Sequence, residues 1–462
     1  MLSSDYLVAR RDNVWLIKHN ATAKLSRIII YKIRHTKMQF VAYNNLHGRH
    51  RYLSSQLVCY IAFNLSFQMI QDLKQRLKSR RRLTKPLQGI QSEYGMNTDY
   101  LEKILTYWAD KYDFKKRTEL LNRFPHYKTR IQGLDIHYIR VKPQVKKGIE
   151  VLPLLMLHGW PSSSKEFDKV IPILTTPKDG YKFVFEVIAA DLPGFGFSEG
   201  TNKPGLSAVQ IGIIMRNLML RLGFNKFYIQ AGDWGSQCAT HLTTLFPDNV
   251  LGYHNNMAVS VRPISNIKLL IGSLFPSLID SDRPERVYPL KNFILSLTNL
   301  FLNIYIFVGV GLTDSPAGLA AYMMEKIAIC SNRDQLDTPH GGLESLDIDD
   351  VLDTVTITWM NECIVTSMRL YRVRRFCYKL IKSQHFNFSI PTEVPTAAIK
   401  FLYEVLYQPD WILRDKFPNL VRSTSYDYGG HFAALHTPKE LAEDVFASVA
   451  EFIKFHSTNK DK

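Results

Sequence analysis

Apolar and polar positions change rhythm several times along the chain. From Tyr94 to Arg130 the text (TDYLEKILTYWADKYDFKKRTELLNRF) repeats its apolar residues at intervals of three and four, which predicts amphipathic helices. Ile136-His-Tyr-Ile-Arg-Val141 then alternates, as a strand does. Beyond residue 150 short apolar runs recur with helical text between them: 152–157, 183–190, 227–230, 250–254, 396–402 and 420–426. Runs that are apolar on both faces and separated by helices predict a mostly parallel sheet covered on both sides. Between about Asn256 and Pro391 the rhythm gives way to helical, aromatic-rich text before the strands resume, so a helical domain is expected to be inserted there as a lid. The expected organisation is an N-terminal arm (1–65), a helical extension (66–135), a first part of the core (136–256), the lid (257–391) and a second part of the core (392–462).

Two uncharged stretches stand out. Tyr52 to Gln71 has the length to cross a bilayer but carries Ser, Asn and Gln, so a membrane anchor and a buried or peripheral helix are both open. Asn292 to Thr313 is also free of charge. A buried lid element is the better reading there, because a span would separate the two halves of one sheet.

The net charge of +16 raises the question of nucleic acid, but the excess is uneven. Up to residue 60 there are ten Lys or Arg against Asp5 and Asp12, half of the whole imbalance. A basic arm beside a nearly neutral body fits an anionic membrane surface at least as well, and no nucleic-acid-binding motif accompanies it. The five cysteines are odd in number and none forms a CxxC pair, which predicts reduced thiols without a zinc site or disulfide framework.

The chemistry concentrates at the ends of the predicted strands. The strand 227–230 runs into Ala231-Gly-Asp-Trp-Gly-Ser236, a small-x-acid-x-small turn leading into a helix. That is a nucleophile elbow with Asp233 in place of serine. In an α/β-hydrolase layout, one oxyanion donor is the backbone N–H after the nucleophile, here Trp234. The other comes from the earlier loop His158-Gly-Trp-Pro161, here Trp160. Asp191-Leu-Pro-Gly-Phe-Gly-Phe-Ser198 suits a tight structural loop, whereas Tyr428-Gly-Gly-His-Phe432 places His431 third in a nucleophile, acid, base order. Glu404, Asp410 and Asp427 compete for the acid. Glu404 ranks first because it directly follows the strand 396–402.

Together HGWP, DLPGFGFSEG, GDWGS, DSPAGLAAY, FLYE and GGHFAA make the chain resemble the microsomal epoxide hydrolases, especially the insect juvenile hormone epoxide hydrolases, from about residue 70 to the C-terminus. The resemblance implies an α/β-hydrolase fold in which Asp233 attacks the epoxide, His431 is the general base and Glu404 orients it. It also implies two lid tyrosines on the epoxide oxygen. One falls at Tyr371, in SMRLY. The ungapped position of the other is Leu297, with Tyr305 the nearby phenol. The implied partners are a lipophilic epoxide and water, with no metal or organic cofactor and no nucleic acid. Members of the family usually carry an amino-terminal apolar anchor, which implies the endoplasmic reticulum membrane with the catalytic domain facing the cytosol. Residues 1–65 themselves match no family text. A haloalkane dehalogenase would share the Asp and His but not the lid phenols, and an inactive lipid-binding homologue would keep the fold alone.

Overall fold

The computed structural model describes residues 58–287, 305–371 and 390–459, together with the backbones of four short strands before residue 44; side chains are described from residue 308 in the second of these segments. The core is one sheet built from β5 (Val58–Ile61), β6 (His126–Ile131), β7 (Leu134–Val141), β8 (Glu150–Leu157), β9 (Phe183–Ala190), β10 (Phe227–Ala231), β11 (Val250–Asn255), β12 (Thr396–Lys400) and β13 (Leu420–Ser425), in the order β5-β6-β7-β9-β8-β10-β11-β12-β13. The four early strands, β1 (Tyr6–Arg11), β2 (Val14–His19), β3 (Ile28–Ile29) and β4 (Phe40–Tyr43), continue it antiparallel beyond β5. From β9 to β13 every pairing is parallel. This is the α/β-hydrolase fold, with the lid between β11 and β12.

Helices cover both faces, and the central strands are correspondingly apolar on both sides. Every residue of β9 and of β10 is buried. On one face the helices Ala208–Arg221 and Asp233–Leu245 bury Met215, Leu218, Cys238 and Leu242; on the other, Pro438–Asn459 buries Val445, Phe446 and Phe452. Gly252 lets β11 lie close to that last helix: a Cβ there would stand 2.1 Å from the Phe452 ring.

Two expectations change. The sheet begins before residue 136, because His126–Ile131 is a strand paired antiparallel with Leu134–Val141. Its polar composition (HYKTRI) hides it within helical text, yet it buries His126, Thr129 and Ile131 and pairs with β5 on the other edge. The uncharged stretch 52–71 is not one helix. From residue 58 it is β5 followed by a new helix, Phe67–Lys78, which Ser66 starts by accepting the Met69 N–H at 3.2 Å. Residues 52–57 lie outside the described residues, as do 288–304, which hold most of the second uncharged run. Among the described residues no helix is long and apolar enough to cross a membrane.

The helical extension fastens the lid to the core. From the helices Thr98–Asp110 and Phe114–Leu121 and the turn between them, Trp108, Tyr112 and Arg117 reach the lid helix Ile348–Met360: Trp108 Nε1 donates to Thr356 at 3.1 Å, Tyr112 to Asp353 at 2.6 Å, and Arg117 to Asp350 at 2.8 Å. Lys165, from the loop after β8, joins the same buried carboxylates at 3.2 and 3.3 Å. A charge network of this kind is costly to break, because removing one partner strands the others away from water. It fixes extension, lid and the HGWP loop in one arrangement.

Candidate active site

Asp233 opens the helix Asp233–Leu245 directly after β10, with φ at +45°. A non-glycine residue holds that conformation only when its surroundings impose it. Close packing does so here. A Cβ on Gly235 would lie 2.3 Å from the Leu157 carbonyl oxygen, and one on Gly159 would lie 2.1 Å from Asp233 Oδ1. The small residues predicted around the elbow are therefore where two backbones and the carboxylate meet.

The HGWP loop approaches from the end of β8. The Trp160 N–H donates to Asp233 Oδ1 at 2.7 Å, and the Trp234 N–H donates to the same carboxylate. The two amides expected to stabilise an oxyanion thus both point at Asp233. His158 locks the loop: its Nδ1 donates to the Gly159 carbonyl at 2.9 Å while Nε2 accepts the Leu192 N–H at 3.1 Å. Asp191 is structural, as expected. It accepts the Ser164 and Phe197 N–H groups at 2.6 and 2.8 Å, tying the HGWP loop to DLPGFGFS.

His431 follows Gly430, which bridges to Tyr403. Its Nδ1 lies 2.5 Å from Glu404 Oε1, and its Nε2 lies 3.4 Å from Asp233 Oδ2, an ion-pair contact. The other candidates for the acid are engaged elsewhere, Asp410 with Lys400 and Ser423, and Asp427 with Arg283. Burial opposes ionisation of both Asp233 and His431. The charge and hydrogen bond of His431 and the two amides nevertheless carry Asp233 below the usual carboxylate range. Glu404 and Asp233 likewise raise His431 well above an ordinary imidazole.

Tyr371 is the last described residue of a lid helix that starts at residue 364, and its ring meets Trp160 and Trp234 edge-on, with centroids 5.8 and 5.0 Å apart. The lid phenol ring therefore packs on the indoles of the two residues whose backbone N–H groups hold Asp233. Tyr305 begins the helix Tyr305–Asp314, but its side chain lies outside the described residues, and so does Leu297.

The comparisons with known proteins agree with this geometry. Residues 60–167 match the family model described as epoxide hydrolase N terminus, and residues 153–282 match that of the alpha/beta hydrolase fold. The chain is 68% identical over 410 residues to a juvenile hormone epoxide hydrolase of Manduca sexta, covering 87% of this chain and 88% of that one. It is 41% identical over 390 residues to epoxide hydrolase 1 of Oryctolagus cuniculus, covering 81% and 85%. The chain belongs to the epoxide hydrolase family. Among solved structures it resembles that of juvenile hormone epoxide hydrolase from Bombyx mori, with a TM-score of 0.81 and 40% identity over 86% of this chain and 95% of the other.

The epoxide hydrolase site also contains residues that the sequence did not single out. Tyr322, on the helix Pro316–Ser331, meets the Trp160 ring edge-on at 5.7 Å. Its motif, DSPAGLAAY, was visible, but nothing in it marks the tyrosine as a neighbour of the HGWP loop. Glu166, Gln230 and Asn256 line the same small cavity as Asp233 and His431. Burial pushes the Glu166 carboxyl up to about 7, against the opposing effects of the Ser162 hydroxyl and His431. No spacing rule points to Glu166, because it reaches the site through the 3-10 turn Ser164–Phe167.

Proposed function

We propose that this epoxide hydrolase works through a covalent ester on Asp233 and that its substrates are apolar epoxides of the juvenile hormone type. The observation that carries the mechanism is the arrangement of the Asp233 carboxylate between two backbone N–H donors on one side and the His431–Glu404 pair on the other.

An epoxide has a poor leaving group, so its opening needs a nucleophile on carbon and an acid on oxygen together. Asp233 attacks the less hindered carbon and forms an alkyl ester. The C–O bond of the ring breaks, and the alkoxide takes its hydrogen bond and proton from the lid phenols, Tyr371 with Tyr305. A serine in this place would give an ether that water cannot cleave.

Ester formation also changes the base. The elevated proton affinity of His431 rests on Glu404 and on the charge and hydrogen bond of Asp233. Alkylation removes the Asp233 charge, so the imidazole becomes easier to deprotonate at the step that needs a base. Neutral His431, held by Glu404, then takes a proton from water as that water adds to the Asp233 carbonyl carbon. The oxyanion falls on the Trp160 and Trp234 amides, a contribution of about 3 kcal/mol per donor. The ester C–O bond then breaks, the departing oxygen takes the proton that His431 drew from the water, and the vicinal diol leaves. The proton that His431 gave up on ester formation restores the lid phenol, and the new carboxyl returns its proton to the imidazole to leave the free carboxylate.

The mechanism is tested by a single turnover in heavy-oxygen water. The label is expected in the Asp233 carboxylate and not in the first diol; label in the first diol would mean direct attack by water. Support for the substrate class comes from the similarity to the Manduca sexta juvenile hormone epoxide hydrolase and from the aromatic surround of Trp160, Trp234, Tyr322 and Tyr371. It is tested by comparing kcat/KM for a juvenile hormone with that for a small aryl epoxide.

We further propose that the enzyme works at the endoplasmic reticulum membrane with its catalytic domain facing the cytosol. What supports contact with a lipid surface is the basic arm, and the outward-facing Ile267, Leu274 and Leu278 on the helices Pro263–Leu274 and Pro276–Ile279, with Phe275 between them. Co-sedimentation with anionic vesicles, reversed by salt, is the expected result. Protease protection in sealed microsomes tests the orientation.

A further inference from the structure

The mechanism leaves the hydrolytic water without a second holder. Base catalysis by His431 fixes one hydrogen of that water, but attack on a carbonyl carbon also requires its lone pair to be aimed. The cavity that Asp233 and His431 share with Glu166, Gln230 and Asn256 has about 10 Å³ of room for the centre of a water molecule, enough for one. Its back wall is polar in a specific way. Gln230 Nε2 donates to Asn256 Oδ1 at 2.9 Å, and Asn256 Nδ2 lies 3.5 Å from the His431 carbonyl oxygen, while the buried Gln230 Oε1 has no hydrogen-bond partner. Glu166 is held by the Ser162 hydroxyl on the turn Ser164–Phe167, which packs against the helix Ala433–His436 just after His431. The neighbouring Lys165 turns the other way, into the Asp350 and Asp353 network. No lysine or arginine is among the groups that act most strongly on the Glu166 carboxyl; His431, Asp233 and Glu404 are.

Resting on the ester mechanism above, we propose that Glu166 positions the water that cleaves the Asp233 ester, accepting the hydrogen that His431 does not take. When ionised, Glu166 accepts from the water and leaves its lone pair free for the ester carbon. When protonated, it offers a hydrogen to that lone pair instead and withholds it from the carbonyl. The Glu166 carboxyl changes state near neutral pH, so ester cleavage rises with pH through about 7.

The test is a rapid-quench single turnover of the full chain with styrene oxide, following the ester by intact-protein mass. E166Q is expected to form the ester within two-fold of the wild-type rate but to cleave it on the order of 10- to 100-fold more slowly. kcat and KM then fall together, kcat/KM stays nearly unchanged, and the rise in ester cleavage near pH 7 disappears. E166D, which keeps the charge but sets it back by one methylene, restores part of the rate and the pH dependence. Unchanged ester cleavage in E166Q, or equal slowing of both steps, overturns the assignment. Should E166Q not fold, E166D decides alone: a cleavage rate equal to wild type overturns it. An absence of ester in the wild type itself would instead refute the ester mechanism.

Discussion

His431 and His137 each set Nδ1 against a buried carboxylate, Glu404 at 2.5 Å and Asp191 at 2.7 Å. What separates them is the other ring nitrogen. His431 Nε2 faces the nucleophile and a cavity with room for a water. His137 Nε2 meets His126 Nδ1 at 2.9 Å, and His126 Nε2 meets the Leu121 carbonyl oxygen at 2.7 Å. That chain ends on an acceptor at both sides, so its three hydrogen bonds need three protons on two rings. Burial first, and the neighbouring charge of His137 second, push His126 down to about 4. A buried histidine and carboxylate are thus not a catalytic pair by composition. One assembly is closed and only holds the loops; the other leaves a nitrogen open to substrate and water.

The sharpest break in the comparison is chemical. D233A is expected to abolish diol formation, because no other described group occupies the position of attack. H431Q is expected to form the ester and hold it, with cleavage slowed by about 10³-fold or more, read as a stable mass increase of one substrate. By contrast H137Q, with the same residue change in the closed chain, should leave the ratio of the two steps as in the wild type. E404Q comes next. Without its anionic partner the imidazole loses orientation and proton affinity, ester cleavage slows, and kcat is expected to fall by roughly 10²- to 10³-fold with KM falling alongside it. D191N tests the closed chain through stability instead. It weakens a buried carboxylate that His137 and the Ser164 and Phe197 N–H groups all bond, at a cost of about 3 kcal/mol, seen as a lower denaturation midpoint.

These two assemblies were unequally legible in the sequence. The elbow, the HGWP loop and the GGHF histidine could be read because each follows a parallel strand, and in the centre of the sheet apolar runs such as Phe183–Ala190 mark the strands unambiguously. The acid was legible by position, since Glu404 follows β12 while Asp410 and Asp427 lie farther on. The closed chain was not. His126 belongs to a strand written largely in polar residues, so the hairpin with β7 that brings it to His137 has no apolar alternation to mark it, and its other partner, β5, comes from distant text. Glu166 was missed for a related reason: a single 3-10 turn carries it to the cavity. The stretch 52–71 misled in the opposite direction. Lack of charge suggested one continuous helix, while Ser66 caps a new one in its middle and the residues before it pair as a strand.

The smallest expected effect is the pH dependence that the closed chain gives to folding. His126 binds its proton near pH 4 in the folded protein and near 6.5 in the unfolded chain. Between those values the unfolded chain holds more protons, so stability falls as pH falls through this window and is unaffected by His126 above it. The loss reaches about 3 kcal/mol at the lower end, taken from the separation of the two values. Chemical denaturation of the wild type and of H126N at intervals between pH 7.5 and 4.5 isolates it: H126N should be less stable at pH 7.5 but lose less on acidification. Equal slopes in the two proteins would mean that the acid sensitivity lies elsewhere, and that the chain of three hydrogen bonds is not held in the folded state by a neutral His126.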